Sequence, residues 1–514
     1  MKWLFLFLCT FILQKIQIMK SKLLISIFIA FLFHSNISSQ TARNTASGRQ
    51  NLIQEIKKFE ENPMLEKSSW SIQVRNTKSG EIIAESNAKK NLVPASVMKA
   101  VTTGVAFIRL GANYRFKTEF YYDGKINSDS TLRGNLIIKG YGDPTLGSHR
   151  WQSTHIDTIF NNIYSEIKKA GINKINGNII VDISSFDVHQ VSPSWQWGDI
   201  GNHFGAGAGA LNFNENIFQI FFKPGNQIGL PSSIDSLYPQ LNHVQIVNNV
   251  KTGARKSGDN VNIYADHFYG NCQMEGTIPI DTDRFMVRGA IPQPEMVFAD
   301  YLSTFLKAKG LKTTGKIERI RYTSEIDTNN IRTLFYTHYS PSLQSIATIT
   351  NKFSHNTFAE AIFKTIGLNR FSMASFDTGS TTILNYLKQQ KIDIEGVQIR
   401  DGSGLSRNNL VSADFLCSFF NFMSTQKNFN SYYETLAEAG ESGTLRRLFQ
   451  NQKTKINIRA KSGTMNGVRA YGGYITNQKN ELLSFAIIIN HFSVKSTDIR
   501  DIMEQLMLAI AQSE

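Results

Sequence analysis

The chain has 514 residues, too many for one compact domain and in keeping with two to four units of about 100–200 residues each. Hydrophobic residues make up 41% and charged residues 19%, which excludes intrinsic disorder, collagen-like repeats and disulfide-dense scaffolds. Lys and Arg outnumber Asp and Glu by 55 to 41, a net charge of +14. Such a chain is drawn to polyanions, yet it has no zinc-finger spacing and no long Lys/Arg run, so nucleic acid is not an expected partner.

Residues 1–39 are expected to form a secretory leader. Lys20 and Lys22 precede an apolar run from Leu23 to Phe33, followed by the small residues Ser38 and Ser39, and the run is short for a membrane span, which needs about 20 residues. A retained signal anchor is the alternative. Met19 is a candidate true start, and the mature chain is placed in the periplasm, beginning near Gln40. Cys9 leaves with the leader; Cys272 and Cys417 remain. Burial as free thiols is the plainer expectation for them, and their spacing leaves pairing open.

Residues 70–76 alternate with period two, Lys78-Ser79-Gly80 makes a turn, and residues 81–84 return, which predicts a β-hairpin. After Pro94, a helical pattern carries Val97, Val101, Val105 and Ile108 on one face and closes near Gly111. The span 112–336 changes to short strand-like runs such as Leu136-Ile137-Ile138 and Asn178–Asp182, with helices near 155–170 and 296–309 and a glycine-rich run at Gly205–Gly209. Helices return at 341–367, 377–390 and 412–426; strands at 469–476 and 482–490 precede a terminal helix at 497–511. The pattern is that of one α/β domain, built from 40–111 and 337–514, interrupted by a mostly β insertion of one or two domains over 112–336.

Ser96-Val-Met-Lys99 sets a serine and a lysine at i and i+3 near a helix start, on one face and within hydrogen-bond reach. A serine hydroxyl is a poor nucleophile until a base takes its proton, and an amine whose pKa is lowered by burial and nearby cations can do so. The same spacing at Ser86, Ser165 and Ser424 has no such setting. Ser354-His355-Asn356 offers a hydroxyl to relay a proton and an amide to grip a carbonyl; Ser406-Arg407-Asn408 repeats the spacing. Lys461-Ser462-Gly463-Thr464 follows the alternating run Ile456–Ala460, which predicts a strand; its lysine can hold an anionic group and Gly463 permits close approach of the backbone. The backbone N–H groups of Ser96 and Thr464 would then form an oxyanion hole. H-E-x-x-H, C-x-x-C and G-x-S-x-G motifs are missing, and no metal or cofactor is implied.

These motifs, in this order, resemble the penicillin-recognising serine D-Ala-D-Ala carboxypeptidases, in the large-insertion group that includes carboxypeptidase/endopeptidases. The flanks carry the resemblance further: Gly142–Leu146, Trp195-Gln-Trp197, Asp401–Arg407, Gly443–Arg447 and Arg459–Gly467. The resemblance implies a serine β-lactamase/transpeptidase-like domain around the insertion, with Ser96 as nucleophile, Lys99 as general base and Ser354 as proton relay. Asn356, Lys461, Ser462, Gly463 and Thr464 would bind substrate. It further implies peptidoglycan stem peptides as substrates, β-lactams as covalent inhibitors, and peripheral association with membrane or cell wall. Two positions depart from the group: His355 stands where Asp is usual, and Ser462 where Thr is commoner. Retained chemistry with altered local charge is the expectation. A β-lactamase-like hydrolase and a non-catalytic sensor are the rival readings; the first lacks an identifiable deacylating glutamate, and the second would be expected to have lost a catalytic side chain.

Overall fold

The computed structural model describes residues 49–513 apart from 269, 328–329, 369 and 451–455, together with single residues 10, 15 and 19. The expected leader lies, but for those three positions, outside the described residues. Among the described residues no helix is long and apolar enough to cross a membrane.

A six-stranded sheet organises the site. Its strands run in the order Ala437–Glu438, Ile458–Met465, Val468–Thr476, Leu482–Asn490, Ser69–Asn76 and Ile82–Ser86, each pair antiparallel. The first hairpin turns as its sequence requires: the Asn76 side chain accepts the N–H of Lys78 and of Ser79 at 2.9 and 3.1 Å. Residues from the two ends of the chain therefore meet in one sheet.

That sheet is covered on both faces. The helix Met98–Arg109 is buried from Met98 to Phe107, and packs in one core with Phe358, Phe420 and Ile488. On the other face Ile72, Phe485 and Ile487 pack with Met503, Leu506 and Ile510 of the terminal helix Ser496–Gln512. The helical stripe read from the sequence thus understates the burial of the serine helix, which is enclosed on nearly every side.

Four further sheets are drawn from residues between 117 and 339. Their core joins Phe120 and Ile138 to Phe160 and Phe298 on the helices Ile156–Lys169 and Pro294–Ala308. The strand Thr333–Tyr339 pairs with Lys117–Tyr122, so the expected boundary at 336 falls inside a strand and the chain leaves these sheets near 340.

One expected helix is corrected. Residues 341–367 form two helices, Leu343–Phe353 and Asn356–Leu368. Ser354 separates them with a left-handed φ of 59°, a conformation that ends a helix. A helix at Phe429–Thr435 was not foreseen; at 7 residues it is too short for a clear period.

Candidate active site

Ser96 sits in a single 3-10 turn, Ala95–Val97, that runs directly into the helix Met98–Arg109. The residue before it, Ala95, is held at φ 46°, where a side chain is strained and the surroundings must enforce the geometry. Two glycines do so. A Cβ on Gly404 would lie 1.9 Å from the Ala95 carbonyl oxygen, and one on Gly463 would lie 2.5 Å from that of Pro94 and 3.0 Å from the Ser96 nitrogen. The loop at 404 and the strand at 463 therefore press on the serine turn as no larger residue would allow.

Lys99 follows one turn on. Its side chain is fully buried, and its Nζ donates to Ser96 Oγ at 2.9 Å and to the Ser403 carbonyl at 2.7 Å. Burial pushes the amine down from 10.5 to about 7, with the charges of Glu360 and Asp401 opposing. Near neutral pH this amine exists in both forms, and the neutral form can accept the serine proton.

The loop 401–409 that supplies the Ser403 carbonyl is held by two buried acids. Glu360, on the helix Asn356–Leu368, accepts the N–H groups of Gly402 and Ser403 at 2.8 Å each. Asp401 accepts from Trp195 Nε1 at 2.7 Å, the Gly404 N–H at 2.8 Å, the Ser406 N–H at 2.6 Å and Asn409 Nδ2 at 2.7 Å. Burial and then Asp401 push the Glu360 carboxyl upward, against its two backbone bonds. The sequence reading gives neither acid a role. Glu360 is detectable in hindsight as the one acidic residue of a mostly apolar helix, four positions after Asn356.

Lys461 lies in the strand Ile458–Met465, which contains the whole Lys-Ser-Gly run rather than following it. Its side chain is fully buried and Nζ donates to the Ser462 carbonyl at 2.7 Å. Burial first, and the charge of Lys99 second, hold this amine well below its ordinary value. Ser462 Oγ donates to Thr444 Oγ1 at 2.7 Å. Gly443, beside Thr444, lies so close to the Lys352 carbonyl that a Cβ would come within 2.2 Å of it. The second and third motifs are thereby tied together through the 443–444 turn. Thr464 is exposed on the same strand.

Ser354 caps the helix Leu343–Phe353 and is half-buried; among the described residues its hydroxyl makes no hydrogen bond to Ser96 or Lys99. The helix itself is tied to the serine helix, because Asn351 Nδ2 donates to Thr103 Oγ1 at 3.0 Å. Asn356 Nδ2 donates to the Phe204 carbonyl at 2.6 Å, which joins the second motif to the inserted sheets.

His355 continues that junction. Its ring lies 2.7 Å from Glu215 Oε2 and stacks on Phe358 at 4.0 Å between centroids. Burial lowers the imidazole, Glu215 opposes, and Arg150 and Lys99 add to the lowering. Glu215 also accepts from Arg150 Nε at 2.8 Å and from Ser148 Oγ at 2.6 Å. Against the upward push of burial, His355 and Arg150 hold its carboxyl well below the usual range.

The competing motifs sit elsewhere. Ser86 Oγ donates to Glu60, Ser424 Oγ to the Asn421 carbonyl, and Ser165 is exposed. Ser406 belongs to the loop 401–409 but is buried, its hydroxyl 2.7 Å from that of Ser194. Cys272 and Cys417 are buried free thiols, both pushed upward by burial. Among the described residues no group of three or more His, Cys, Asp or Glu side chains is arranged to hold a metal ion.

Fold and site together define a β-lactamase/transpeptidase-like α/β enzyme carrying extra β-sheets. The profile of the D-Ala-D-Ala carboxypeptidase 3 (S13) family matches residues 52–513. The chain is 26% identical over 434 residues to D-alanyl-D-alanine carboxypeptidase DacB of Haemophilus influenzae, covering 83% of this chain and 86% of that one. It is 25% identical over 470 residues to the D-alanyl-D-alanine carboxypeptidase of Actinomadura sp. strain R39, covering 89% and 84%. The crystal structure of penicillin binding protein 4 from Haemophilus influenzae superposes with a TM-score of 0.76 at 25% identity, covering 90% of this chain and 99% of that one. The chain belongs to the D-Ala-D-Ala carboxypeptidase 3 family, whose members are serine carboxypeptidases.

Proposed function

We propose that this chain removes the terminal D-alanine from peptidoglycan stem peptides through an acyl-enzyme on Ser96. One observation carries the reading: a fully buried amine, lowered to about 7, at 2.9 Å from the serine hydroxyl.

Ser96 Oγ attacks the carbonyl of the D-Ala-D-Ala bond while the neutral Lys99 amine takes its proton. The oxyanion is received by the N–H groups of Ser96 and Thr464. Ser354 relays the proton to the leaving D-alanine amine, and Asn356 holds the peptide carbonyl. Lys461 and Ser462 bind the terminal carboxylate, which would draw the Lys461 ammonium back to its charged form. Gly463 keeps the strand close to the serine. Water then attacks the ester carbonyl, gives a proton back toward Ser96 and frees the shortened peptide.

A β-lactam presents a strained amide and a carboxylate in the same relation, so it would acylate Ser96 and leave slowly. A solved structure of the Haemophilus influenzae penicillin binding protein 4 is of its complex with a β-lactam, which supports this part of the reading. The apolar run behind Lys20 and Lys22 and the excess of basic residues support export to the periplasm and attraction to an acidic cell-wall polymer or membrane surface.

The test is to incubate purified protein with a stem pentapeptide and with a cross-linked muropeptide and to read products by mass spectrometry. Release of D-alanine by the wild type and not by Ser96→Ala is the expected result. Cleavage of the cross-link would add D,D-endopeptidase activity. Failure on both substrates would overturn the reading.

A further inference from the structure

We propose that the inserted sheets carry a glycan-binding platform, built on Trp197 and Tyr264, that holds the amino-sugar chain from which the stem peptide hangs. The inference rests on the proposed substrate and adds a second site to it.

Trp197 is 69% exposed, unusual for the largest apolar side chain. It is not loose. Its ring stacks on Tyr264 at 4.5 Å between centroids and 26° between planes. The turn after it is seated on the strand Asn262–Asp266: a Cβ on Gly201 would lie 2.1 Å from the Ile263 carbonyl oxygen, and Asn202 Oδ1 accepts the Ile263 N–H at 3.3 Å. A flat, rigid aromatic surface is thus held out to solvent.

Beside it lies a cavity of about 430 Å³ on the outer face of a three-stranded sheet. The strand register sets its chemistry. Gln245, Asn271 and Asp266 form one row across the three strands, and Gln273 stands beside Tyr264 in the next. The alternate residues Ile263, Cys272 and Met274 point into the core. The lining therefore combines two stacked rings and the apolar Val247 with three primary amides and a carboxylate, and among the described residues no Lys or Arg contributes to it.

In a chain of net charge +14, a cation-free recess speaks against an anionic ligand. Aromatic faces accept the C–H faces of a sugar ring, and side-chain amides both donate to and accept from hydroxyl and acetamido groups. A polysaccharide that is neutral along its backbone fits all of these features. One short segment links the platform to the cleft: it runs from Trp197 to Phe204, whose carbonyl accepts Asn356 Nδ2 at 2.6 Å. A peptide in the cleft and the sugar chain that carries it would be engaged together, which raises the effective concentration of the scissile end.

The experiment is frontal affinity chromatography of the full chain on immobilised chitohexaose, an N-acetylated amino-sugar oligomer bearing no peptide, with cellohexaose as the control lacking acetamido groups. The wild type should be retained on chitohexaose and less on cellohexaose. Trp197→Ala and Gln273→Ala should each weaken retention at least tenfold, and Trp197→Phe should restore much of it. Melting temperatures identify any variant that has lost its fold. A wild type that releases D-alanine from pentapeptide yet is not retained overturns this inference alone. Equal retention of wild type and Trp197→Ala overturns it as well. Absence of D-alanine release, whatever the retention, counts against the proposed function instead.

Discussion

Raising the pH from 6 to 8 should speed acylation of Ser96 about tenfold and then leave it level, because Lys99 must be neutral to accept the serine proton. With the amine lowered to about 7, roughly one in eleven molecules is competent at pH 6 and roughly ten in eleven at pH 8. The tenfold gain is worth about 1.4 kcal/mol of barrier. An ordinary lysine at 10.5 would give a different curve, rising about tenfold with every pH unit and still climbing at pH 10. The assay is the time course of labelling by a fluorescent penicillin ester, which lacks the carboxylate that Lys461 would bind and so isolates Lys99. Lys99→Ala should lose about 3–4 kcal/mol of barrier stabilisation or more, and Lys99→Arg should not recover it, since a guanidinium stays protonated. A climb that continues to pH 10 would refute the shifted amine; a flat profile, or near-normal labelling of Lys99→Arg, would refute Lys99 as the base.

Other consequences are separable from this one. Lys461→Ala should cut acylation at least tenfold for carboxylate-bearing penicillins and much less for their esters, as expected for a charge-assisted hydrogen bond of about 1.5–3 kcal/mol; equal losses would remove Lys461 from the carboxylate site. Lys99→Met should melt at a higher temperature than wild type at pH 7, because holding a buried amine at about 7 rather than 10.5 costs on the order of 4 kcal/mol, more than the roughly 1 kcal/mol of each bond it makes. Unfolded Lys99 keeps its proton up to 10.5 and folded Lys99 only to about 7, so wild-type stability gains with pH across that window and the difference should close toward pH 10; a gap that does not narrow would refute this. His355→Asp sets a carboxylate against Glu215 in place of the 2.7 Å contact, and should cost about 1–3 kcal/mol of stability that Glu215→Gln restores; a denaturation series on the two variants and their combination checks it.

Much of the serine domain was legible because its signals are local. The hairpin at 69–86, the serine helix and the strand holding Lys461 follow from alternation, apolar spacing and turn residues, and the three motifs declare candidate chemistry by residue type alone. What stayed hidden depends on distant partners. Burial sets the Lys99 amine, and the opposing charges of Glu360 and Asp401 reach it only after the chain between them folds back, which no local pattern around either residue states. The break at Ser354 needs a left-handed residue, which a serine in an apolar-periodic run does not signal. His355 reads in the sequence as an isolated substitution, whereas it pairs with Glu215 in the turn Asn214–Asn216 of the inserted region, 140 positions away. In those sheets the strands were readable singly. Their order was not, since parallel pairs such as Gln245–Gly253 with Asn271–Pro279 carry no short-range turn signal.

The central claim, that Ser96 is acylated at a D-Ala-D-Ala site, is tested most directly by peptide mapping of protein treated with benzylpenicillin. A single penicilloyl adduct is expected on the peptide that contains Ser96, absent when the sample is first saturated with a D-Ala-D-Ala substrate analogue and absent in Ser96→Ala. An adduct on any other serine, or one that persists in Ser96→Ala, would contradict it.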